Sequence, residues 1–158
     1  MHYERLERRH DAALAAVIRA NLKAHGLDIP GTAYFDAALD RLSAFYGAEP
    51  ERRAYIVLMD GDELMGGVGL AEFEDLPGCA ELQKLYLHDR VKGRGLGYAL
   101  IEAVEGEARR LGYRQMYLET HTNLQAAIHI YEKSGYRQIP RPESVVHGTM
   151  NRFYVKAL

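Results

Sequence analysis

The order of helical and strand patterns predicts a mixed α/β domain. Two helical segments come first, strands then alternate with helices through the middle of the chain, and the late strands favour antiparallel pairing. The 158 residues, 47% hydrophobic and 27% charged, are enough for one core and few for two. We therefore expect residues 1–158 to form a single domain without repeats, low-complexity tracts or a linker.

The first half of the chain predicts two helices and a β-hairpin. Residues 11–25 carry apolar side chains at helical spacing, and Gly26 can end that helix. After a loop, an amphipathic pattern predicts a second helix over 35–46. Strands are expected at 54–59 and 64–73, on either side of a tight turn. Three glycines within the second strand suggest a bulge, or a backbone packed closely against something.

The second half predicts a strand, a glycine-rich loop and a helix, followed by four shorter elements. A buried or half-buried strand is expected at 82–87 and a helix at 96–111, with Gly112 as its left-handed stop. The remaining elements are a strand at 115–119, a helix at about 123–134 and late strands near 136–139 and 152–156.

The loop Lys92-Gly93-Arg94-Gly95-Leu96-Gly97 is the strongest functional signal in the chain. Its alternating glycines let the backbone approach a ligand closely, and the helix that follows adds unpaired N–H groups and the positive end of its dipole. Lys92 and Arg94 add side-chain charge, so a phosphate is the expected ligand. The Walker pattern fails because no Gly-Lys-Ser or Gly-Lys-Thr is present. The dinucleotide fingerprint fails because Leu100 stands in place of its third glycine.

Composition argues against several other classes of protein. Cys79 is the only cysteine, which excludes an intrachain disulfide and a cysteine-rich metal site. The seven histidines show no ligand spacing, so we expect no metal. The net charge of −2 gives no sign of a nucleic-acid surface. The charged N-terminus and the lack of a long apolar run predict neither a signal peptide nor a membrane partner, and hence a cytoplasmic protein.

The segment from Glu81 to Tyr136 resembles the core of the GNAT-type N-acetyltransferase superfamily. Its acetyl-CoA motif, Gln/Arg-x-x-Gly-x-Gly/Ala, is matched by the loop at 92–97 with a lysine in the first position. Its later motif, Tyr-x-x-x-Gly-Phe/Tyr, is matched by Tyr131-Glu132-Lys133-Ser134-Gly135-Tyr136. The resemblance implies a mixed sheet of six to seven strands with helices on both faces and a splay between two central parallel strands.

The resemblance also implies an acetyl-CoA site between the strands at 82–87 and 115–119. Backbone groups of Leu85 and Leu87, with Tyr86 between them, are expected to pair with the pantetheine, and amides from Arg94 to Tyr98 to hold the pyrophosphate. The full implied cofactor set is Leu85, Tyr86, Leu87, Lys92, Gly93, Arg94, Gly95, Leu96, Gly97, Tyr98, Asn123 and Tyr131. Many relatives have an asparagine where this chain has Leu124, and the neighbouring Asn123 could cap the helix instead of touching the cofactor.

Two catalytic residues are implied for direct attack of an amine on the thioester. Glu81 stands where some members have a glutamate base, and strand alternation places it on the same face as Leu85 and Leu87. A solvated glutamate at a strand end is the alternative interpretation. Tyr131 is the implied acid for the departing thiolate, although its helical spacing also fits a core residue. Lesser candidates are Glu119, His121 and His147.

The acceptor is predicted only as an amine of a small molecule or a peptide. Family logic places it over the first two helices, their loop and the C-terminal strands. Tyr34, Phe35 and Tyr46 could form an apolar wall there, and Asp28 and Asp36 could attract a cationic amine. A non-catalytic acetyl-CoA-binding sensor or a partner-binding module remains the alternative function. Many members of the superfamily dimerise, so a homodimer is also left open.

Overall fold

The computed structural model describes residues 1–145 and 148–158, and it confirms the predicted α/β class. The strands of its sheet are β1 (His2–Arg5), β2 (Ala54–Asp60), β3 (Glu63–Glu72), β4 (Cys79–Leu87), β5 (Gln115–Thr120), β6 (Arg137–Ile139) and β7 (Arg152–Ala157). The α-helices are α1 (Asp11–Ala24), α2 (Leu42–Ala48), α3 (Leu96–Arg110) and α4 (Gln125–Lys133). The strand order is β1-β2-β3-β4-β5-β7-β6, and only the β4–β5 pair is parallel among these neighbours.

Helices cover both faces of the sheet, as expected. On one face α3 and α4 pack against the sheet through a large apolar cluster that includes Leu100, Val104 and Tyr131. On the other face α1 and α2 form a second cluster, centred on residues such as Leu14 and Ile18. The described part of the chain contains no helix that is long and apolar enough to cross a membrane.

One prediction about the N-terminal region was wrong, and one element of that region was missed. The segment expected to be one helix over 35–46 instead contains the 3₁₀ turns Ala33–Phe35 and Leu39–Arg41, and only then α2. Asp36 interrupts the pattern because its backbone is extended and its carboxylate accepts a hydrogen bond from the amide of Ala38. The edge strand β1 was not predicted, because its residues are polar and mostly exposed.

The glycines of β3 make room for two buried tyrosines. A Cβ on Gly69 would lie 2.5 Å from the Tyr55 ring and 2.6 Å from the Tyr46 hydroxyl, and one on Gly67 would lie 2.5 Å from the Tyr55 ring. The pairing of β3 with β4 shifts register between Gly67 and Gly69. A close approach therefore accounts for Gly67 and Gly69, and the predicted bulge of β3 lies beside Gly66, where Met65 is an extra residue in the pairing with β2.

A bulge in β4 lies opposite that shift. Lys84 and Leu85 have no register partner in β3, and Lys84 has a φ of 50°, the one positive φ of a non-glycine residue in the described chain. The Tyr55 hydroxyl donates a hydrogen bond of 2.7 Å to the carbonyl oxygen of Lys84. The bulge in β4 is therefore held by a tyrosine of β2, on the far side of β3.

The parallel strands β4 and β5 separate soon after they meet. Their register runs only from Cys79 opposite Gln115 to Glu81 opposite Tyr117. Beyond that point β5 continues to pair with β7 and β4 with β3, so the two central strands diverge. The opening between them is the expected splay, and it leaves backbone groups of both strands available to a ligand.

Candidate active site

The glycine loop presents a row of free amides at the start of α3. Gly93 and Gly95 have φ values of 73° and 75°, and Gly95 is the N-cap of the helix. Within residues 1–145 and 148–158, the N–H groups from Gly93 to Tyr98 donate to no backbone acceptor. Six successive donors at a helix N-terminus suit an anion such as a pyrophosphate.

Glycine is favoured in this loop for two different reasons. A Cβ on Gly93 or Gly95 would meet nothing within 4 Å, so these positions need glycine for their left-handed backbone. A Cβ on Gly97 would lie 2.9 Å from the Ile130 Cδ1 atom, so a larger residue there would require the end of the Ile130 side chain to move, and glycine lets α3 begin close against α4. The loop therefore combines conformational and packing constraints.

A cavity of about 690 Å³ opens in the splay, between the free amides and the α1 side of the sheet. It brings together most of the residues that the sequence pointed to. Its lining includes Glu81, Leu85, Tyr86, Leu87, Lys92, Gly93, Gly95, Leu96, Gly97, Tyr98 and Tyr131. A single cavity thus reaches from the glycine loop to both implied catalytic residues.

Two residues of the implied cofactor set do not line this cavity. Arg94 is exposed outside it. Asn123 is also exposed, and its side-chain amide donates to the carbonyl oxygen of His25 at 2.9 Å, which ties the end of α1 to the segment before α4. The idea that Asn123 caps the helix was wrong, because the N-cap is Leu124 and no side chain caps it.

Leu87 is fixed by a residue of α1 that the sequence did not single out. The buried Asn21 donates from Nδ2 to the carbonyl oxygens of Leu87 and Val17, each at 2.9 Å. Asn21 itself lines the cavity. The hydrogen bond to Leu87 holds the end of β4 in place where the strand faces the opening.

Tyr131 projects from α4 and lines the cavity. The residue is 6% exposed and packs edge-on against Tyr136, with ring centroids 6.0 Å apart. No residue that the structure describes forms a hydrogen bond with its hydroxyl. Burial, reinforced by the neighbouring Tyr86, raises the pKa of Tyr131 well above its usual value near 10. The phenol therefore keeps its proton at neutral pH, and the residue lines the cavity, where its hydroxyl is available as a hydrogen-bond donor.

Glu81 is oriented by a short chain of hydrogen bonds. The hydroxyl of Tyr46 donates to Gln83 Oε1 at 2.8 Å, and Gln83 Nε2 donates to Glu81 Oε2 at 3.1 Å. Burial raises the pKa of Glu81 to about 7, the Gln83 bond lowers it, and the carboxylate of Glu119 raises it further. A carboxyl with a pKa near neutrality is suited to accept a proton at physiological pH.

The expected placement of Glu81 on the same face as Leu85 and Leu87 was wrong. Leu85 and Leu87 pack against the α3–α4 cluster, whereas Gln83, which bonds to Glu81, bonds also to Tyr46 of the α1–α2 cluster. The bulge at Lys84 adds a residue between them and reverses the alternation. All three residues still line the cavity because it opens through the splay.

The lesser catalytic candidates differ in their position relative to the cavity. Glu119 lines the cavity and accepts a hydrogen bond of 3.0 Å from the Tyr117 hydroxyl. His121 lies outside the lining, and its Nδ1 accepts a hydrogen bond from the amide of Asn123. His147 falls outside the described residues.

The residues suggested for binding the acceptor also differ in whether they line the cavity. Asp36 lines the cavity, whereas Asp28 does not. Tyr34 and Phe35 form no wall of it, and Phe35 is 62% exposed. Tyr46 is buried and acts indirectly, through Gln83.

Sequence analysis missed other residues of the lining. Thr32 and Met150 come from loops far apart in the chain, which meet where Thr149 Oγ1 donates to the carbonyl oxygen of Pro30 at 2.9 Å. Lys84 also lines the cavity, although it gave no signal beyond being a lysine in a strand. Nothing local in the sequence indicates these contacts. In the described ranges, no cluster of three or more His, Cys, Asp or Glu residues could hold a metal ion.

Comparison with known proteins connects this cavity to a family. The sequence model of the acetyltransferase (GNAT) family matches residues 13–136. The N-acetyltransferase YjgM of Escherichia coli (strain K12) is 34% identical over 137 residues, which span 85% of this chain and 81% of YjgM.

Solved structures share the whole fold. A GNAT-family acetyltransferase from Staphylococcus aureus Mu50 superposes with a TM-score of 0.84 at 18% identity, covering 99% of this chain and 98% of that one. The PaiA N-acetyltransferase from Thermoplasma acidophilum, solved in complex with coenzyme A, gives a TM-score of 0.77 at 17% identity, covering 100% of both chains.

Proposed function

From the premise that this chain belongs to the acetyltransferase (GNAT) family and is an acetyl-CoA-dependent acyltransferase, we propose that it acetylates a primary amine by direct attack in a ternary complex. One observation carries the proposal. A single cavity joins the free amides of the glycine loop to a carboxyl with a pKa near 7 and to a buried tyrosine whose hydroxyl has no partner among the described residues. The parts needed for binding, base catalysis and acid catalysis therefore share one space.

The acetyl donor, acetyl-CoA, binds along the glycine loop and in the splay between β4 and β5. The N–H groups from Gly93 to Tyr98 hold the pyrophosphate, with Lys92 adding charge at the mouth of the cavity. The diverging strand β4 offers its backbone to the pantetheine. When bound, acetyl-CoA supplies an electrophilic thioester carbonyl. The coenzyme A bound to PaiA in the shared fold supports this assignment.

Glu81 is the proposed base. An amine enters mainly as an ammonium ion, which is not nucleophilic until it loses a proton. Glu81 accepts this proton directly or through a water, and the bond from Gln83 fixes the orientation of its carboxylate. Its pKa of about 7 makes both of its protonation states accessible at neutral pH.

Tyr131 is the proposed acid. As the new C–N bond forms and the C–S bond breaks, the electron pair of the C–S bond stays on sulfur. The Tyr131 hydroxyl donates its proton to that sulfur, and the resulting phenolate takes up, directly or through a water, the second proton that the attacking nitrogen loses. Coenzyme A then leaves as the free thiol together with the acetylated amine, and Tyr131 is again neutral. Its hydroxyl has no hydrogen-bond partner in the described chain, so none is lost in the process.

An acetyl-transfer assay tests the proposal. The wild-type protein is incubated with acetyl-CoA and a panel of primary amines, and both free coenzyme A and acetylated amine are quantified. We expect the two products in equal amounts, and a loss of both in the Glu81→Gln and Tyr131→Phe variants. Binding of coenzyme A without transfer to any amine would contradict the proposal and favour a non-catalytic sensor.

A further inference from the structure

Lys84 has a backbone conformation that its own side chain disfavours. Its φ of 50° lies in the left-handed region, where a non-glycine residue costs roughly 1–2 kcal/mol. Tyr55 holds the residue there through the hydrogen bond to its carbonyl oxygen, and Gly67 gives the Tyr55 ring its space. The contacts that stabilise the bulge therefore involve the backbone of Lys84 and not its side chain. A glycine at position 84 would form the same contacts with less backbone strain.

The side chain of Lys84 also has no structural partner among residues 1–145 and 148–158. The residue lines the cavity, and burial lowers the pKa of its ammonium, while the carboxylates of Asp36 and Glu81 partly offset this effect. In the part of the chain that the structure describes, the ammonium forms no hydrogen bond or ion pair. A half-buried cation with no partner is costly unless something that binds in the cavity pairs with it.

We propose that the Lys84 ammonium binds a carboxylate of the acceptor, so that the acceptor is a small amine that carries a carboxylate, such as an amino acid. The inference rests on the proposed acetyl transfer and names the acceptor class for the same cavity. The cavity holds both signs of charge, with Lys84 for the carboxylate and Glu81 and Glu119 for the ammonium. A zwitterion satisfies both.

Other acceptor classes fit this arrangement less well. A purely cationic acceptor such as a polyamine would bring a second positive charge towards Lys84. A phosphate-bearing acceptor would place two negative charges near Asp36, Glu81 and Glu119, with Lys84 to balance them, since the other lysine of the lining, Lys92, is paired with Asp89 at 2.6 Å. A singly charged carboxylate matches the Lys84 ammonium.

Matched acceptor pairs test the inference. Each α- or ω-amino acid is compared with its own amide, in which the carboxylate is replaced by a neutral carboxamide, and the ratio of the two kcat/KM values is measured. The difference in amine pKa within a pair is the same for every enzyme variant, so it cancels when ratios are compared between variants. We expect the wild type to prefer the carboxylate form, and Lys84→Met to reduce that preference by roughly tenfold or more.

Two further variants serve as controls. Lys84→Arg keeps a positive charge and should retain part of the preference. Lys23→Met removes an exposed lysine of α1 outside the cavity and should leave the ratio unchanged. An unchanged ratio in Lys84→Met, or a wild-type preference for amines without a carboxylate, would overturn the inference while leaving acetyl transfer intact. Absence of transfer to every amine would instead contradict the proposed function.

A stability measurement separates a binding role from a structural one. Lys84→Gly relieves the left-handed strain and removes the unpaired ammonium, so it should raise the Tm while it abolishes the carboxylate preference. A lower Tm in Lys84→Gly together with an unchanged preference would show that Lys84 serves the fold, and would overturn the inference.

Discussion

Replacing Glu81 by glutamine should stabilise the protein at alkaline pH and weaken its activity. Burial raises the pKa of this carboxyl from 4.5 to about 7. Below pH 4.5 the carboxyl is protonated in both folded and unfolded states. As the pH rises from 4.5 through about 7, the unfolded state ionises first, so the free energy of unfolding falls. Above about pH 7 the carboxyl is ionised in the folded protein as well, and the buried charge lowers the free energy of unfolding of the wild type by its full amount. Glutamine carries no charge, so the variant does not lose this stability.

The size of the effect follows from the two pKa values. At about 1.4 kcal/mol per tenfold change in ionisation equilibrium, a pKa of about 7 against 4.5 corresponds to at most about 3 kcal/mol. The bond from Gln83 persists in the variant, because a glutamine side chain also offers an oxygen acceptor. Between about pH 5 and about pH 8.5 the stabilisation by Glu81→Gln should therefore grow by roughly 2–3 kcal/mol.

Urea unfolding of wild type and variant at these two pH values measures the difference. The same substitution at the exposed Glu102 of α3 is the matched control, for which we expect a small change at both pH values. A stabilisation by Glu81→Gln that does not depend on pH would refute the raised pKa. A loss of stability at high pH would refute the reasoning that the ionised carboxylate is costly in this cavity.

Three further substitutions test other parts of the site and its support. Tyr131→Phe should lower kcat by roughly a hundredfold or more, because it removes the proposed acid. Its Tm should be unchanged, because the Tyr131 hydroxyl has no hydrogen-bond partner among the described residues. An unaltered kcat in steady-state kinetics would contradict the role of Tyr131 as the acid. Gly95→Ala should raise KM for acetyl-CoA, because alanine disfavours the left-handed φ of 75° at this position. The control Gly106→Ala, inside α3, should leave KM unchanged and stabilise the fold by about 0.5–1 kcal/mol. Equal KM values for these two variants would argue against the loop as the binding site. Gly69→Ala should cost about 1–3 kcal/mol in urea unfolding, since its Cβ would lie 2.5 Å from the Tyr55 ring, and an unchanged midpoint would contradict that packing.

The order of elements and the glycine loop could be predicted because their signals are local. The run from 92 to 97 contains both the left-handed glycines and the start of α3, so its position and its suitability for an anion follow from a few neighbouring residues. Tyr131 and Glu81 could be named because they stand at fixed distances from that loop in a motif, and the cavity brings them to it.

The features that were missed depend on contacts between distant residues. The bulge at Lys84 is held by Tyr55, 29 positions earlier, and no pattern within β4 indicates it. Simple strand alternation therefore placed Glu81 on the wrong face. Asn21 likewise acts on Leu87 across 66 positions, and a buried asparagine in α1 has no sequence pattern that names its partner.

A crystal structure of the protein with coenzyme A would test the central claim most directly. The account predicts that the pyrophosphate accepts hydrogen bonds from the amides between Gly93 and Tyr98, that the pantetheine lies between β4 and β5, and that the thiol lies beside the Tyr131 hydroxyl. A coenzyme bound elsewhere, for example in the separate cavity lined by Phe73 and Ile139, would contradict it.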